Sequence, residues 1–493
     1  MSLHRLLITT IACLAVAAAP AGAAEMTVQN ASQLQAALGS ATGGDVILLT
    51  GGDYGWARLQ NYQFDSPVTL RAADRTDPPV FKGLRVDSGD NLVFDGLVFF
   101  RGETVPEGTF YALADLYGGQ NLTFVYCRFH GATIESGDAA GYGSGFGVFD
   151  RGTTNLTVRR CAFTIVRKGV VSAYTSTVGL VIEQNFLYNY REDAFKPQGA
   201  DMVVADNIVL DNTPRILPDG AGDHCDMIQG CFRDTVIRDN FFRGTGQGIH
   251  ANGYSEDWGP HPDFAGGNTI SNNIFYISFV NGINHWSTPG SMVAHNTVLA
   301  PWDPSPAPVK INIGQGLGSD GARVEYNIAE RTVEDTPGVT YTGNQNVQRD
   351  DPDGWPTYLG DVLVGGLPND QSPIADFVIR ADAFPGSTET PGADLSEFFW
   401  LNVGDPSDPT NEMYPLWLQL DATGRAKLVE VLGLPTTPPG DADEDGDVDL
   451  DDFCILKNSF GATSGATWAD GDFDGDGDVD LDDFVMLKSN FGS

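Results

Sequence analysis

The sequence predicts an all-β chain that forms a right-handed parallel β-helix, followed by a small α-helical module of the EF-hand type. Two observations predict this fold class. A short apolar strand pattern recurs along the middle of the chain and ends each time in the same column of residues, and an acidic loop pattern occurs twice near the C-terminus. The 493 residues, 41% of them hydrophobic, suffice for a large core and for two or three domains.

Residues 1–24 have the organisation of a secretory signal peptide. A basic head at Met1–Arg5 precedes an apolar stretch from Leu6 to Ala19 and small residues at Ala21–Ala23. The apolar stretch is shorter than the ~20 residues that a membrane-spanning helix needs, and no later segment is long and apolar enough. We therefore expect a secreted protein that does not insert into a membrane.

A β-helix domain is expected over residues 25–345, beginning with a helix that covers the open end of the solenoid. Ser32 and Gln35 have the Ser-x-x-Gln form of a capping box, and a short apolar helix is predicted to follow as far as Leu38. The strand after this helix is expected at Val46–Leu49.

The recurring strand pattern can be aligned on its last residue in nine copies, which follow one another at unequal intervals. The aligned residues are Gly96, Cys127, Cys161, Asn185, Asn207, Asn240, Asn273, Asn296 and Asn327. A parallel solenoid keeps one residue type in register because each coil places the column ~4.8 Å above the last. Inward Asn side chains then hydrogen-bond along the column, and the extra residues of long coils form outward loops. The register is expected to end after Asn327.

Three further segments are expected after the solenoid. Residues 346–432 are predicted to be mainly irregular chain packed along the solenoid, with a helix at Ala422–Leu432. Residues 433–439 form a stiff Pro-rich linker, and residues 440–493 form a separate acidic domain. That domain carries −14 of the net charge of −38, and the overall excess of acid argues against nucleic acid as a partner.

The acidic domain contains two loops with the ligand spacing of an EF-hand. Oxygen ligands stand at positions 1, 3, 5, 9 and 12 and a glycine at position 6, and the pattern that begins at Asp441 begins again at Asp472. The sequence therefore predicts two Ca²⁺ ions. With position 7 included, the predicted ligands are Asp441, Asp443, Asp445, Asp447, Asp449 and Asp452 in the first loop and Asp472, Asp474, Asp476, Asp478, Asp480 and Asp483 in the second.

This duplicated segment closely resembles a type I dockerin over residues 440–493. Dockerins carry two such loop-helix segments, and the resemblance implies calcium binding, a cohesin-type protein partner and an extracellular or cell-surface location. Positions 10 and 11, where dockerins usually have a Ser/Thr pair, are Leu450 and Asp451 in the first loop and Leu481 and Asp482 in the second.

Aligning the coils also aligns a second strand in each of them. An inward apolar column is expected at Phe195, Ile228, Ile249, Ile283 and Ile311, so that the next residue of each coil points outward. These outward residues, which we name the strip, are Lys196, Gln229, His250, Asn284 and Asn312, and Arg191, Asp193, His224, Asp226, His285 and Trp286 are expected beside them. A solvated polar face is the alternative. Four of the six His that remain after export lie between residues 224 and 285, with aromatic residues nearby, so we interpret the strip as a sugar-binding site.

The same region resembles polysaccharide lyases. Residues 28–99 resemble the chondroitinase B and alginate lyase type, and the strand at Asp193–Lys196 and the His224-x-Asp226-x-x-Gln229 motif resemble secreted pectate-lyase-like β-helix proteins. In the chondroitinase B type, a Lys is the base and an Arg one coil later is the acid. Lys196 matches the base, and Gln229 stands at the position of the acid.

Three functions are open at this point. The first is a lyase that cleaves a uronic-acid polysaccharide by β-elimination, with Lys196 or His224 as base, Asp226 orienting a His or holding Ca²⁺, and His250 stabilising or protonating. Its substrate would be bound by Arg191, Asp193, Gln229, Asn284, His285 and Trp286. The second is a glycoside hydrolase that uses Asp193 and Asp226. The third is a non-catalytic glycan-binding or surface-assembly protein.

Overall fold

The computed structural model describes residues 23–137, 140–174, 176–214, 223, 225–251, 254–255, 259–260, 266–301, 308–348, 357–434, 440–443, 447–473 and 477–492. The chain divides into two compact units, Met1–Ala426 and Lys427–Ser493. Almost all of the predicted signal peptide lies outside the described residues. Within the described part of the chain, no helix is both long and apolar enough to cross a membrane.

The first unit is a stack of strands in three columns, which we number faces 1, 2 and 3. Face 1 contains Glu25–Val28, Val46–Leu49, Gln63–Ala72, Pro79–Asp95, Ala112–Val125, Thr154–Arg159, Val181–Glu183, Val203–Ala205, Val236–Arg238, Thr269–Ser271, Met292–Ala294, Ala322–Glu325 and Val339–Thr342. Face 2 contains Val98–Phe100, Arg128–His130, Ala162–Thr164, Phe186–Tyr188, Ile208–Leu210, Phe241–Gly244, Ile274–Ile277, Thr297–Leu299, Ile328–Ala329 and Gln345–Asn346.

Face 3 carries the second strand of the sequence alignment. It contains Gly52–Gln60, Phe146–Asp150, Lys168–Ser172, Phe195–Lys196, Gln198–Ala200, Asp226–Arg233, Gln247–Ala251, Asn281–Ser287, Lys310–Gly318 and Arg331–Thr332. The long strands turn corners: Ala112–Val125 belongs to faces 1 and 3, and Pro79–Asp95 belongs to these two faces and also pairs with Val98–Phe100 of face 2. Pairing between successive coils is parallel on each face, for example from Val203 to Val236 on face 1, which confirms the predicted parallel β-helix.

The remaining elements are short. Two antiparallel strand pairs join Ala132–Thr133 to Gly143–Ser144 and Tyr254–Ser255 to Gly259–Pro260. The α-helices are Ala31–Ser40, Leu359–Val362, Phe399–Asn402, Tyr414–Trp417, Ala422–Leu432, Leu450–Ser459 and Leu481–Asn490, and the 3₁₀ helices are Ile374–Phe377, Leu395–Glu397 and Trp468–Asp470. The predicted strand at Val46–Leu49 and helix at Ala422–Leu432 are therefore confirmed.

The Asn column stacks at the turn from face 1 to face 2 and is completely buried. Each side-chain amide donates to the side-chain oxygen of the next Asn, at 3.0 Å from Asn185 to Asn207, 2.9 Å from Asn207 to Asn240 and 2.8 Å from Asn240 to Asn273. The same oxygen accepts a backbone N–H, as from Asn207 to Asn240 at 3.0 Å. Because buried polar groups are costly unless paired, these paired amides fix the stacking of the coils.

The ladder continues one coil beyond the predicted end. Asn327 donates to Asn344 at 3.0 Å, and the strand Val339–Thr342 pairs with Ala322–Glu325. The expectation that the register ends at Asn327 is therefore wrong. The last coil is shorter than the others, because Asn344 follows Asn327 at a spacing of 17 positions, which is below the spacings on which the copies were aligned.

At the other end of the column, cysteines replace asparagines. The backbone N–H of Cys161 donates to Asn185 at 2.9 Å, and the buried thiols of Cys127 and Cys161 lie 3.3 and 3.6 Å from the carbonyl oxygens of Phe94 and Phe124. Both cysteines are free. The thiols thus occupy the position of the Asn side chains without forming a disulfide.

The N-terminal helix begins earlier than the sequence predicts. The helix spans Ala31–Ser40, and its N-cap is Asn30, whose side-chain oxygen accepts from the Gln33 backbone N–H at 3.0 Å. Ser32 lies inside the first turn, so the prediction that Ser32 and Gln35 form a capping box is wrong. Asn is as good an N-cap as Ser, and Asn30 has the extended backbone that this position requires.

The irregular chain after the last coil lies along face 2. The indole N–H of Trp400 donates to the carbonyl of Asp206 at 2.6 Å, and the Tyr276 hydroxyl donates to the carbonyl of Pro368 at 2.7 Å. Asp421 accepts from the Tyr188 hydroxyl at 2.8 Å. Asp206 lies at the turn before face 2, and both tyrosines lie on face 2, so this segment covers that face.

Replacing Asn240 with Ala is expected to lower the free energy of unfolding by about 2–4 kcal/mol. The change leaves the buried groups that Asn240 pairs, including the Asn207 amide, without partners, and each such group costs about 1–3 kcal/mol. The measurement is chemical denaturation followed by circular dichroism. The matched control is Asn121→Gly, since Asn121 belongs to an exposed pair with Asn91 and has a positive φ of 55° that glycine tolerates. Equal losses in both variants would contradict the assigned role of the ladder.

Candidate active site

Face 3 carries the strip in the predicted register. Phe195, Ile228, Ile249, Ile283 and Ile311 form the inward column, and all five are completely buried. Their next neighbours share one outward column, because Gln229 pairs with His250, His250 with Asn284, and Asn284 with Asn312. Lys196 occupies the same position one coil before Gln229, since Phe195 pairs with Ile228.

A chain of amides orients His250. Asn312 Nδ2 donates to Asn284 Oδ1 at 3.2 Å, which turns the Nδ2 of Asn284 toward His250 Nδ1, 3.3 Å away. With Asn284 as donor, Nδ1 of His250 is the acceptor, so the neutral ring carries its proton on Nε2. The strip therefore presents an N–H donor at Nε2 of His250.

A buried group of charged side chains lies at the start of the face 3 strands. Asp193 is completely buried, with Oδ2 bonded to Lys168 Nζ and Oδ1 accepting the backbone N–H of Asp226 at 3.3 Å. Asp226 is also buried, and its Oδ2 accepts from Gln229 Nε2 at 2.9 Å. Both carboxylates thus serve internal hydrogen bonds.

Burial and charge compete within this group. Burial raises the pKa of Asp193, Lys168 opposes that rise, Asp226 adds to it, and Lys196 opposes it. For Lys168, burial acts to lower the pKa, but the carboxylates of Asp193 and Glu192 outweigh it and the pKa is raised. Lys168 is therefore held in its charged form, and it offsets part of the negative charge beside Lys196.

His285 does not belong to the strip. It follows Asn284 along the strand and therefore points inward, where it is only 2% exposed. Its Nε2 lies 3.0 Å from Asn268 Nδ2, and burial lowers its pKa to about 4. The prediction that His285 contacts substrate is therefore not supported by its position. Trp286, the next residue, lies with its ring centroid 5.8 Å from that of His250 and so remains next to the strip.

Arg191 is buried in an ion pair. Its Nε and Nη2 donate to the two carboxylate oxygens of Asp223 at 2.6 and 2.9 Å. This bidentate contact occupies the guanidinium fork, so the prediction that Arg191 binds substrate is not supported by its position. His224, a predicted base, lies outside the described residues, and its role stays a prediction.

Lys168 is absent from the site predicted from the sequence. The strand Lys168–Ser172 precedes Phe195–Lys196 by one coil, and Val170 pairs with Phe195, which places Lys168 in the column of Asp193. The sequence alignment could have predicted that Lys168 and Asp193 are neighbours in one column. The pair is found only when the face 3 alignment is extended back by one coil, before the Asn column begins.

The second unit brings together the described acidic residues of each loop. Carboxylate oxygens of Asp441, Asp443 and Asp452 all lie within 4.8 Å of one another, and so do those of Asp478, Asp480 and Asp483. This donor set, made only of oxygen, suits Ca²⁺. Asp445, Asp474 and Asp476 lie outside the described residues.

The two halves of this unit share one core in the register of the duplicated sequence. Its buried residues form the pairs Ala442 and Phe473, Val448 and Val479, and Leu456 and Leu487. The two position-10 residues, Leu450 and Leu481, are by contrast 65% and 66% exposed. The duplication therefore preserves both the interior and one pair of exposed apolar side chains.

Residues 439–492 match the family model described as dockerin type I domain. The C-terminal part of the chain is therefore a dockerin type I domain, as the sequence resemblance implied, and dockerin type I domains bind calcium. A comparison of the chain with curated proteins found no match.

Several solved structures resemble the β-helix. A PL6 family alginate lyase, AlyGC, is 12% identical with a TM-score of 0.39, over 75% of this chain and 58% of that protein. A rhamnogalacturonan lyase is 13% identical with a TM-score of 0.43, over 74% and 96%. The pectate lyase Pel9A is 14% identical with a TM-score of 0.37, over 75% and 94%. At these TM-scores, the resemblances decide neither the reaction nor the substrate of this chain.

Replacing Asn284 with Asp tests the contact that orients His250. A carboxylate at this distance from Nδ1 favours the imidazolium, so the pKa of His250 is expected to rise by about 1 or more. The measurement is an NMR titration of the His250 ring in the parent and the variant. Asn402→Asp, on an exposed helix end, is the matched control and is expected to leave the titration unchanged. An unchanged titration in Asn284→Asp would contradict the contact.

Calcium titration of the chelator-treated full-length chain is expected to show two binding sites. Asp452→Ala should leave one site and the double variant with Asp483→Ala should leave none, because each carboxylate belongs to a different loop. The measurement is isothermal titration calorimetry, with Asp361→Ala on the first unit as the control. A parent chain that binds no Ca²⁺, or a double variant that binds as the parent does, would contradict this assignment.

Proposed function

We propose that this protein is a secreted polysaccharide-degrading enzyme, a lyase that cleaves a uronic-acid-containing chain by β-elimination. The observation that carries the proposal is the strip on face 3. It sets one amine, Lys196, in line with the neutral hydrogen-bonding side chains Gln229, His250 and Asn284. With coils ~4.8 Å apart, Lys196 and His250 are about 10 Å apart along the solenoid, the size of one or two sugar units.

The reaction begins with removal of the proton on the carbon next to the sugar carboxylate. Lys196 Nζ, in its neutral form, accepts this proton, and the electron pair left behind forms a C=C bond to the adjacent ring carbon. The bond from that carbon to the glycosidic oxygen breaks at the same time. The ammonium formed at Lys196 then gives the proton to the leaving oxygen, so the site returns to its starting state.

Negative charge builds on the sugar carboxylate and on the leaving oxygen during this step. In this proposal, amide N–H groups of Gln229 and Asn284 donate to the carboxylate, and Nε2–H of His250 donates to the leaving oxygen. These donors are held in place before substrate binds, because Asn312 fixes Asn284 and Asp226 fixes Gln229. Preorganised donors of this kind lower the barrier without reorganisation.

The charged group next to the strip supports Lys196 as the base. An amine accepts a proton only in its neutral form, and a nearby carboxylate favours the protonated form. Lys168 is bonded to Asp193 and offsets part of this attraction. Lys168 is thus a positioning residue for the charge of the site and does not touch the substrate.

The burial of Asp193 and Asp226 argues against the hypothesis that the protein is a glycoside hydrolase. A glycosidase carboxyl group must reach either the glycosidic oxygen or the anomeric carbon. Asp193 is bonded to Lys168 and to the Asp226 backbone, and Asp226 is bonded to Gln229. In this proposal, charge stabilisation is assigned to the side-chain amides of the strip.

For the dockerin type I domain, we propose two bound Ca²⁺ ions and a cohesin-type protein partner in an extracellular or cell-surface assembly. The exposed Leu450 and Leu481 stand where dockerins usually carry Ser or Thr, so the partner surface would be apolar at the matching points. This domain would localise the enzyme without taking part in the reaction.

Lys196→Met is expected to lower turnover by ~10²-fold or more on the uronic-acid polysaccharide that the enzyme cleaves, while its melting temperature stays nearly unchanged. The substrate is found by incubating the enzyme with alginate, polygalacturonate and chondroitin and recording ultraviolet absorbance, because the C=C bond of a lyase product is conjugated with its carboxylate. His250→Ala is expected to cause a similar loss. The matched control is Lys82→Met, since Lys82 is exposed and lies away from the strip.

Three results would contradict the proposal. Near-parent activity in Lys196→Met would show that Lys196 is not the base. New reducing ends without ultraviolet absorbance would indicate a hydrolase. No product from any polysaccharide, combined with retained binding, would indicate a glycan-binding protein.

A further inference from the structure

Face 3 continues toward the N-terminus as a patch of aromatic and arginine side chains. In register, Lys196 pairs with Val171, Val171 with Phe149, Phe149 with Asp115, and Asp115 with Arg85. At ~4.8 Å per coil, Phe149 lies about 10 Å from Lys196 along the solenoid, and Arg85 lies about 19 Å from it. The patch and the strip therefore form one continuous surface.

We name this patch the platform, and it consists of Arg85, Phe110, Tyr117, Phe149 and Arg151. Phe110 lies in the loop before the strand Ala112–Val125 and is 58% exposed. Its ring centroid is 5.5 Å from that of Phe149, with the two rings nearly perpendicular. Leaving a phenylalanine ring in water forgoes the free energy of its burial, and grouped exposed apolar side chains commonly mark binding surfaces.

The two arginines of the platform stack on its tyrosine. The guanidinium carbon of Arg85 lies 3.8 Å from the centroid of the Tyr117 ring, and that of Arg151 lies 4.6 Å from it. Arg85 donates from Nε to Asp87 at 2.8 Å, and Arg151 donates from Nε to Asp115 at 3.0 Å. In the part of the chain that the structure describes, these bonds use Nε alone. The terminal amino groups of each guanidinium can therefore donate to a ligand.

Packing alone accounts for part of this arrangement. Phe146 and Val171 are buried together, and Phe149 packs partly against them, so these three residues form a small apolar cluster on the outer side of face 3. Such a cluster needs no ligand. Packing of this cluster does not explain why the ring of Phe110 is exposed. It also does not explain why two guanidinium groups stack on Tyr117 in a chain whose net charge is −38.

We propose that the platform is an additional subsite that binds uronic-acid units of the same polysaccharide chain, two to four coils from Lys196. This inference deepens the proposed function and rests on it. The apolar face of a sugar ring packs on Phe110 and Phe149, and the sugar carboxylate accepts from the terminal N–H groups of Arg85 or Arg151. The platform therefore selects chains that are anionic and long enough to reach it from the reacting bond.

The test measures binding and cleavage separately. The full-length chain with Lys196→Met is titrated with alginate, polygalacturonate and chondroitin and with the carboxyl-reduced form of each, and affinity is read by affinity electrophoresis. Adding Phe110→Ala is expected to weaken binding of the native polymer roughly fivefold or more. Adding Arg85→Gln should do the same for the native polymer and leave binding of the carboxyl-reduced polymer unchanged. Phe100→Ala, a partly exposed phenylalanine on face 2, is the matched control and should change neither.

Cleavage of short and long substrates gives the second measurement. In the chain with an intact Lys196, Phe110→Ala is expected to raise KM for the polymer roughly fivefold. It is expected to leave kcat/KM for a disaccharide within about twofold of the parent, because the single sugar unit on either side of the reacting bond does not span the ~10 Å to Phe149.

The outcomes separate this inference from the proposed function. Parent-like binding by both platform variants, or no binding of any polymer by the parent, would overturn the subsite. Binding that depends on Phe110 in a protein that cleaves no polymer would support the subsite while refuting the lyase. Cleavage that depends on Lys196 but is indifferent to Phe110 and Arg85 would refute the subsite and leave the lyase standing.

Discussion

A buried column of asparagine amides holds the coils from Asn185 to Asn344 in register, and the strip on face 3 depends on it. Each Asn satisfies both halves of its amide with the neighbouring coils, and the carboxamide oxygen also accepts a backbone N–H. A shift of one coil by one residue would leave these groups unpaired in the core and turn the apolar side chains outward. The column therefore allows coils of unequal length while it keeps the stacked positions fixed.

Because the coils are stacked in a fixed register, the inward and outward residues that alternate along each strand form continuous columns. On face 3, the inward column of Phe195 and isoleucines fills the core, so each following side chain must point outward and lies directly above its counterpart in the coil below. The strip and the amide chain to His250 follow from this geometry, and the platform continues the same face in the coils that precede the Asn column. The amine of Lys196, oriented neutral donors and exposed aromatic rings thus lie along one line parallel to the axis of the solenoid.

In the charged group beside the strip, the cost of burying carboxylates opposes the gain from ion pairs and hydrogen bonds. Burying Asp193 and Asp226 costs free energy that Lys168 and the internal hydrogen bonds only partly recover. Fully apolar side chains at these positions would pack the corner at lower cost. The group also interacts electrostatically with Lys196, which opposes the rise in the pKa of Asp193.

The sequence by itself determined the parallel β-helix, the register of the strip and the dockerin type I domain, because each depends on spacing between residues of one type. The extra coil at Asn344 and the N-cap at Asn30 could also have been predicted from the sequence. Their spacings differ from those of the aligned coils and of the Ser-x-x-Gln capping box. The inward direction of His285 and the column shared by Lys168 and Asp193 could likewise have been derived from strand alternation and from the alignment of the coils. Only the tertiary structure decided that Arg191 pairs with Asp223 and that the amine of Lys168 bonds to Asp193. These facts depend on side-chain direction and on contacts between successive coils, which are distant along the chain, and no local spacing encodes them.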